Sequence, residues 1–175
     1  MVAIFVVVTP SGRNDNTEPG LGVSPGVTRF DEADRKGAPS IEGPLVDGSS
    51  SASISHPGRV VVVNVWQPTC GPCRGEADAL EVAARTTAKE ATFVGLDVVD
   101  QRAAAQAFLR TSGSSYPHIF DPDAQQLLKF HGILPVQAIP STAVIDKEGR
   151  IAARIIGPVS AQTLTQLIDE VASST

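Results

Sequence analysis

The order of apolar and polar positions from residue 59 onward predicts two strands with a helix between them. RVVVVNVW at 59–66 is a continuous apolar run rich in β-branched residues, which is typical of a strand buried on both faces. ATFVGLDVVD at 91–100 predicts a second strand. Alanine and leucine residues recur at helical spacing between the two runs. A strand, a helix and a strand in this order favour an α/β fold.

The rest of the chain predicts two further helices, a short strand, a short helical segment and a hairpin. We expect a helix over 100–113 that Asp100 caps and Gly113 ends, and Ser160 is the expected N-cap of a last amphipathic helix. The other predicted elements are a strand at 116–123, a short helix at 124–132, and hairpin strands at 140–146 and 150–157. Together these elements predict a central mixed β-sheet flanked by helices.

The first 36 residues lack this periodicity. VAIFVVV at 2–8 has the length of a short signal-peptide core, about 7 residues, but no Lys or Arg stands before it. Residues 1–10 are therefore either the remnant of an export signal or anchor, which we favour, or a β-strand. Glycine and proline are frequent in 11–36, which predicts a flexible linker. The folded domain is expected over 37–175, with a short N-terminal β extension.

Composition and charge exclude some classes of protein. Hydrophobic residues make up 42% of the chain, enough for a sizeable core. The formal net charge is −5, and the sequence has no basic stripe that would neutralise nucleic-acid phosphates. No apolar run reaches the roughly 18 residues that a membrane span needs.

The two cysteines of the chain, Cys70 and Cys73, lie where the first predicted strand gives way to a helix. Backbone N–H groups and the helix dipole at such a position favour a thiolate, so the pKa of Cys70 should fall. Cys73 follows three residues later on the same helical turn, close enough for a disulfide. Pro72 lies where a missing N–H costs little. This spacing suits reversible dithiol–disulfide exchange.

A zinc site and an inert disulfide remain as alternatives. Structural zinc needs four ligands, whereas the chain offers two cysteines and three histidines (His56, His118 and His131) without paired spacing. A disulfide that spans two residues constrains almost no chain and is a poor structural staple. We interpret His118 and His131 as helix-end or surface residues.

VVVVNVWQPTCGPCRGE at 60–76 resembles the active-site segment of the thioredoxin superfamily, closest to the membrane-tethered or secreted TlpA, ResA and DsbE-type branch. The similarity continues through GLDVVDQRAAAQAFL, YPHIFDPDAQQLLKFHGI and IPSTAVIDKEGRI, and covers about 37–172. The resemblance implies a thioredoxin-like fold. It also implies that Cys70 is the attacking cysteine and Cys73 the resolving one. By the same resemblance, Ile139–Pro140 is a cis peptide bond that faces the disulfide and offers backbone groups to a substrate.

The resemblance extends to other residues near the cysteines. Asn64 stands where cytosolic thioredoxins have a buried Asp, and Glu76 aligns with an acidic residue near the disulfide. We expect Glu76 to tune or relay the proton of Cys73, the alternative being a residue that only favours the helix dipole. Trp66 and Thr69 are candidate substrate contacts, although Trp66 fits packing equally well. Thr69 departs from the bulky residue that relatives carry before the first cysteine.

The function implied by the resemblance is thiol–disulfide exchange with exported or membrane-associated proteins, with reduction favoured over oxidation and cytochrome c maturation as one setting. The alternatives are a disulfide-forming oxidase of the DsbE type and a thioredoxin-fold adaptor that only binds. We expect protein thiols or disulfides and a membrane redox partner as partners, no nucleic acid and a monomer. No metal and no cofactor are expected besides the Cys70–Cys73 disulfide. The expected location is extracytoplasmic, secreted or tethered at the N-terminus.

Overall fold

The computed structural model describes residues 26–54 and 58–174. The expected export remnant at 1–10 lies outside these residues. The strands are β1 (Gly26–Arg29), β2 (Glu42–Pro44), β3 (Ser51–Ser53), β4 (Val60–Trp66), β5 (Ala91–Val98), β6 (His118–Asp121), β7 (Ser141–Ile145) and β8 (Ile151–Ile156). The helices are α1 (Gly71–Thr86), α2 (Arg102–Ser112), α3 (Gln125–Leu128) and α4 (Ala161–Ser173). None of the helices in the described ranges is long and apolar enough to cross a bilayer.

Six strands form one mixed sheet in the order β1-β8-β7-β4-β5-β6. β4, β5 and β6 are parallel, because α1 and α2 carry the chain back between them, and β7 runs antiparallel to both β4 and β8. The predicted mixed sheet is confirmed. β2 and β3 form a separate two-stranded hairpin, which is the expected N-terminal β extension.

Helices cover both faces of the sheet, so β4 is buried throughout, as its sequence predicts. Val62 and Val144 pack against α1 and α4 on one face, with Leu80 and Ile168 as helix contributions. On the other face the core contains Val61, Val63, Leu96, Phe130 and the residue that leads into β2, Ile41. The two apolar faces hold the carboxyl end of β4, and with it the start of α1, in a fixed position.

The linker prediction is wrong for residues 26–36. β1 pairs antiparallel with β8, and a short 3-10 turn follows at Glu32–Asp34. This strand has no apolar pattern in the sequence, because β1 is an edge strand whose side chains are mostly exposed. Backbone hydrogen bonds hold it in place rather than apolar burial. Its last residue, Arg29, forms an ion pair with Glu170 of α4 at 2.8 Å.

The predicted ends of α2 and α4 are confirmed in part. Ser160 caps α4 as expected, and its hydroxyl accepts a hydrogen bond from the Thr163 amide at 3.1 Å. The predicted Asp100 cap is wrong, since α2 begins after Gln101, whose side chain makes no capping bond. α2 ends at Gly113 in the left-handed conformation, as predicted.

Candidate active site

The two cysteines form a disulfide at the start of α1, with an S–S distance of 2.01 Å. Cys70 occupies the N-cap position, four residues after β4 ends, and its Sγ accepts a hydrogen bond from the Cys73 amide at 3.1 Å. Pro72 lies in the first turn of α1, where a backbone N–H has no partner within the helix. A Cys70 thiolate at this position would receive the Cys73 N–H and the positive end of the helix dipole.

The two sulfur-bearing residues differ in exposure. Cys70 is half-buried between exposed Thr69 and exposed Gly71, whereas Cys73 is only 3% exposed. A partner protein can therefore approach Cys70 without any rearrangement, but Cys73 is covered. This difference fits the roles that the resemblance implies, with Cys70 attacking and Cys73 resolving.

The Ile139–Pro140 peptide bond is cis, as predicted. β7 pairs with β4, with Ser141 opposite Val65, so the loop before β7 reaches the disulfide. The Ile139 carbonyl oxygen lies 3.8 Å from Cys70 Sγ. Pro140 is buried and its carbonyl accepts a hydrogen bond from the Gly157 amide at 2.9 Å. The backbone of Ile139 thus lies beside the sulfur that a substrate would meet.

Glu76 is buried beneath the site, with 2% exposure. Its Oε1 accepts a hydrogen bond from Asn64 Nδ2 at 2.9 Å, and its Oε2 accepts one from the Val159 amide at 3.0 Å. Burial raises the pKa of Glu76 to about 7, and these two hydrogen bonds oppose the shift. Glu76 is thus a buried residue with a partner at each carboxylate oxygen, and its proton role stays a proposal beside the alternative of a residue that only favours the helix dipole.

Asn64 connects Glu76 to the strand that follows the cis-proline. Its Nδ2 donates to Glu76 and also lies 3.2 Å from Thr142 Oγ1. All three side chains are almost completely buried. The network ties α1, β4 and β7 together directly under the disulfide.

Trp66 packs in the core and is not exposed at the rim. It is 3% exposed, and its ring lies 5.1 Å from the Phe108 ring and 5.3 Å from the His118 ring, measured between centroids. The same apolar cluster contains Cys73. Trp66 is therefore a packing residue and not the substrate contact that was predicted as one of its two roles, while exposed Thr69 stays a candidate contact.

The burial of two polar residues near the site was not predicted from the sequence. Asp97 is fully buried on β5, beside Trp66, and neither carboxylate oxygen has a hydrogen-bond partner among the described residues. Burial, reinforced by the charge of Asp100, raises the pKa of Asp97 to about 8. The signal for Asp97 was its place two residues after Gly95, in the middle of a run that is predicted to be a strand.

His118 is the second such residue, and its interpretation as a surface or helix-end histidine is wrong. It begins β6, is 7% exposed and stacks on Tyr116 with 4.7 Å between ring centroids. Burial lowers the pKa of His118 to about 3, so its imidazole is neutral at pH 7. Among the described residues, no three His, Cys, Asp or Glu side chains converge as metal ligands would.

A central mixed sheet, a CxxC disulfide at the N-terminus of α1 and a cis-proline beside it define a thioredoxin-like protein. Residues 33–168 match the Redoxin family. The chain belongs to this family. It is 33% identical over 119 residues to the thiol:disulfide interchange protein HelX of Rhodobacter capsulatus, and the match covers 67% of this chain and 64% of HelX. The match thus spans slightly less than two thirds of that relative.

Two solved structures match a larger share of this chain than HelX does. A DsbF homologue from Corynebacterium diphtheriae superposes with a TM-score of 0.78 at 30% identity, covering 96% of this chain and 99% of that one. A secreted thiol-disulfide isomerase from Corynebacterium glutamicum superposes with a TM-score of 0.76 at 29% identity, covering 95% and 98%. The thioredoxin-like fold expected from the sequence is confirmed.

Proposed function

We propose that this protein is a thiol–disulfide oxidoreductase that exchanges disulfides with other proteins through Cys70 and Cys73, acting mainly as a reductant. The observation that carries the proposal is the arrangement of the two sulfurs. A half-buried Cys70 receives an N–H at the start of α1 and lies beside the Ile139 carbonyl, while its partner Cys73 is covered. In such an arrangement one sulfur is accessible to substrates, and the other only resolves the mixed disulfide that forms between Cys70 and a substrate.

The reducing cycle has two exchange steps. The Cys70 thiolate attacks one sulfur of a substrate disulfide, the substrate S–S bond breaks, and the other substrate sulfur leaves as a thiolate. The Cys73 thiolate then attacks Cys70 Sγ, which releases the second substrate sulfur and forms the Cys70–Cys73 disulfide. Two electrons pass to the substrate, and the two protons of the dithiol reach its sulfurs through solvent.

We propose that Glu76 assists the proton transfer of Cys73. Glu76 lies one helical turn after Cys73, and i to i+3 places the two residues on one face of α1. A carboxyl group with a pKa of about 7 exists in both protonation states near neutral pH, as an acid–base group should. Its hydrogen bonds to Asn64 and to the Val159 amide fix its position.

The substrate contacts remain proposals as well. The Ile139 backbone would pair with an extended substrate segment next to Cys70, on the pattern of strand addition. Thr69, exposed directly before Cys70, would contact the same segment. A threonine here gives a less apolar rim than an aromatic residue would, so we expect a substrate preference different from that of relatives with an aromatic.

Serine variants of the two cysteines test the exchange chemistry. We expect Cys70→Ser to abolish reduction of a model protein disulfide with dithiothreitol as electron donor. Cys73→Ser should instead accumulate a mixed disulfide with the substrate, visible on a non-reducing gel. Val82→Ser, at an exposed position on α1, serves as control. Undiminished reduction by the Cys70 variant would end the proposal, and partner binding that survives replacement of both cysteines would favour an adaptor.

We further propose that the protein acts on exported proteins outside the cytoplasm. The similar isomerase from Corynebacterium glutamicum is a secreted protein, which supports this location. Because an oxidising compartment keeps dithiols closed, a reductant there needs electrons from a membrane redox partner. The protein produced in its native host should be recovered from the extracytoplasmic fraction, and recovery in the cytoplasm alone would contradict the location.

A further inference from the structure

A small cavity lies behind Cys73. Its volume is about 20 Å³, which is room for about one water molecule. Cys73 lines this cavity, and so do the polar side chains of Asn64, Ser114 and His118. These polar groups make the space suitable for a water.

The cavity adjoins a surface groove. The groove has a volume of about 490 Å³ and lies between α2 and the residues that follow β2. Four residues line both the groove and the cavity, and Ser114 is the one among them with a small hydroxyl; the others are Leu109, Tyr116 and His118. Ser114 therefore stands between the space behind Cys73 and the solvent.

The position of the Ser114 hydroxyl is fixed by its neighbours. Ser114 Oγ lies 2.8 Å from His118 Nε2. The next residue, Ser115, donates from its amide and its hydroxyl to the Glu81 carboxylate of α1, at 2.9 and 3.1 Å. Gly95 makes room for the imidazole, because a Cβ atom there would lie 1.9 Å from His118 Nδ1. The packing thus holds His118 and Ser114 in one arrangement.

We propose that a water in this cavity and the Ser114 hydroxyl carry protons between the Cys73 thiol and the groove, with His118 positioning Ser114. The proposal rests on the thiol–disulfide exchange proposed above. When a thiolate attacks Cys70, the Cys70–Cys73 bond breaks and Cys73 leaves as a thiolate. The water gives it a proton, Ser114 passes one to the water, and solvent in the groove restores the Ser114 proton. Every relay group ends as it began.

The burial of Cys73 explains why such a route matters. At 3% exposure the Cys73 thiolate has no direct access to bulk water. Until it is protonated it can attack Cys70 again and restore the disulfide, so proton delivery commits the reaction. His118 is neutral at pH 7 and therefore accepts or donates a hydrogen bond without adding a charge. Glu76 is linked to the cavity lining through its hydrogen bond with Asn64 and is a second proton-transfer group, distinct from Ser114 and His118.

The test follows Trp66 fluorescence while dithiothreitol reduces the disulfide of the full chain. Trp66 is the one tryptophan in the sequence and packs in the cluster that contains Cys73, so its emission reports reduction. We expect Ser114→Ala to slow reduction by roughly 10-fold, which is less than the roughly 100-fold of a weak general acid or base, because Glu76 offers a second source of protons. Ser114→Thr, which keeps a hydroxyl, should restore most of the rate, and the equilibrium constant against glutathione should be unchanged in both.

A second variant blocks the cavity without touching Ser114 or His118. Ala77 of α1 lines the cavity, and Ala77→Val would fill a space of about 20 Å³. We expect it to slow reduction as Ser114→Ala does, whereas Ala79→Val on the same helix, outside the cavity lining, should not.

Three results would overturn the relay. They are a Ser114→Ala rate within about threefold of the native rate, a threonine variant as slow as the alanine variant, and a slower rate fully explained by a changed equilibrium constant. Reduction of the native disulfide would remain in each case, so failure of the relay is distinct from failure of the oxidoreductase, which the Cys70→Ser result decides.

Discussion

Asp97 shows how a single buried side chain near the site affects the stability of the fold. Its carboxyl group is fully buried and has no hydrogen-bond partner among the described residues, so ionisation in the folded state is costly. The carboxylates of Asp100 and Asp121 add repulsion, and the Arg102 guanidinium opposes it. A group with such surroundings remains protonated in the folded protein at pH values where the unfolded chain has already lost the proton.

The pKa of Asp97 therefore predicts a loss of stability with rising pH. The folded pKa is about 8, whereas an unfolded Asp titrates near 3.9. Between these values the folded state binds one more proton than the unfolded state, so the free energy of unfolding falls as pH rises from about 4 to about 8. We expect Asp97→Asn to stabilise the protein at pH 8 by at least about 1.4 kcal/mol, the free energy of one pKa unit, because the asparagine has no carboxyl group that ionises when the chain unfolds; the measurement is urea denaturation.

The comparison of pH values separates this effect from ordinary packing. At pH 4 both Asp97 and an asparagine are neutral, so the two proteins should differ little. Glu76 keeps a smaller dependence of the same sign in the variant, because its pKa is also raised, to about 7. Parallel stability curves for the two proteins between pH 4 and 8 would show that Asp97 does not titrate as its burial requires.

The residues that sequence alone identified are those with a local signal. Cys70, Cys73 and Pro140 lie in short motifs, and the adjacent residues in each motif identify the role of the residue. The buried positions of Asp97 and His118 depend instead on which strands meet: Asp97 pairs with Trp66 and Phe120, and His118 with Gly95. A local sequence pattern does not indicate which strands pair. The cavity behind Cys73 could not be predicted either, because residues from several elements line it.

At the level of elements, the predicted and observed strands and helices agree best where the sequence has a long run or a clear periodicity of apolar residues. β4 and β5, with their long β-branched runs, and α4, with its cap, are where the sequence predicts them. β1 has four residues and mostly exposed side chains, and its place is fixed by β8 rather than by its own composition. Edge strands of this kind are held mainly by backbone hydrogen bonds, which sequence patterns do not record.

Two proline substitutions test the pairing of β1. The Phe30 amide donates to the Ala152 carbonyl at 2.9 Å. Because hydrogen-bonded pairs alternate along antiparallel strands, the Thr28 N–H also faces β8 and the Val27 N–H faces away. We expect Thr28→Pro to lower the free energy of unfolding by roughly 1–2 kcal/mol more than Val27→Pro, through one lost ladder bond and the clash with β8. Equal midpoints in urea would mean that β1 does not pair with β8 in solution.

At the scale of the whole molecule, the charges around the disulfide bear on the direction of electron flow. An oxidant such as DsbA owes its potential of about −120 mV to a stabilised reduced form. In the described part of the chain, the Cys73 amide stabilises a Cys70 thiolate and so favours the reduced form, whereas burial disfavours a Cys73 thiolate and so favours the closed disulfide. The nearby Arg74 guanidinium lies over the Phe108 ring, 5.5 Å from its centroid. We expect the burial of Cys73 to have the larger effect, which would make the closed disulfide the favoured form.

A protein whose fold favours the disulfide should be a reductant and should be more stable when oxidised. By a thermodynamic cycle, the difference in unfolding free energy between the two redox forms equals the difference in potential between the folded and unfolded pair, with about 30 mV worth 1.4 kcal/mol. We expect the oxidised form to unfold at higher urea concentration than the reduced form, followed by Trp66 fluorescence. The potential against glutathione should lie near −270 mV, that of thioredoxin. A reduced form more stable than the oxidised one would instead identify an oxidant, because the fold would then hold the dithiol in preference to the disulfide it passes on.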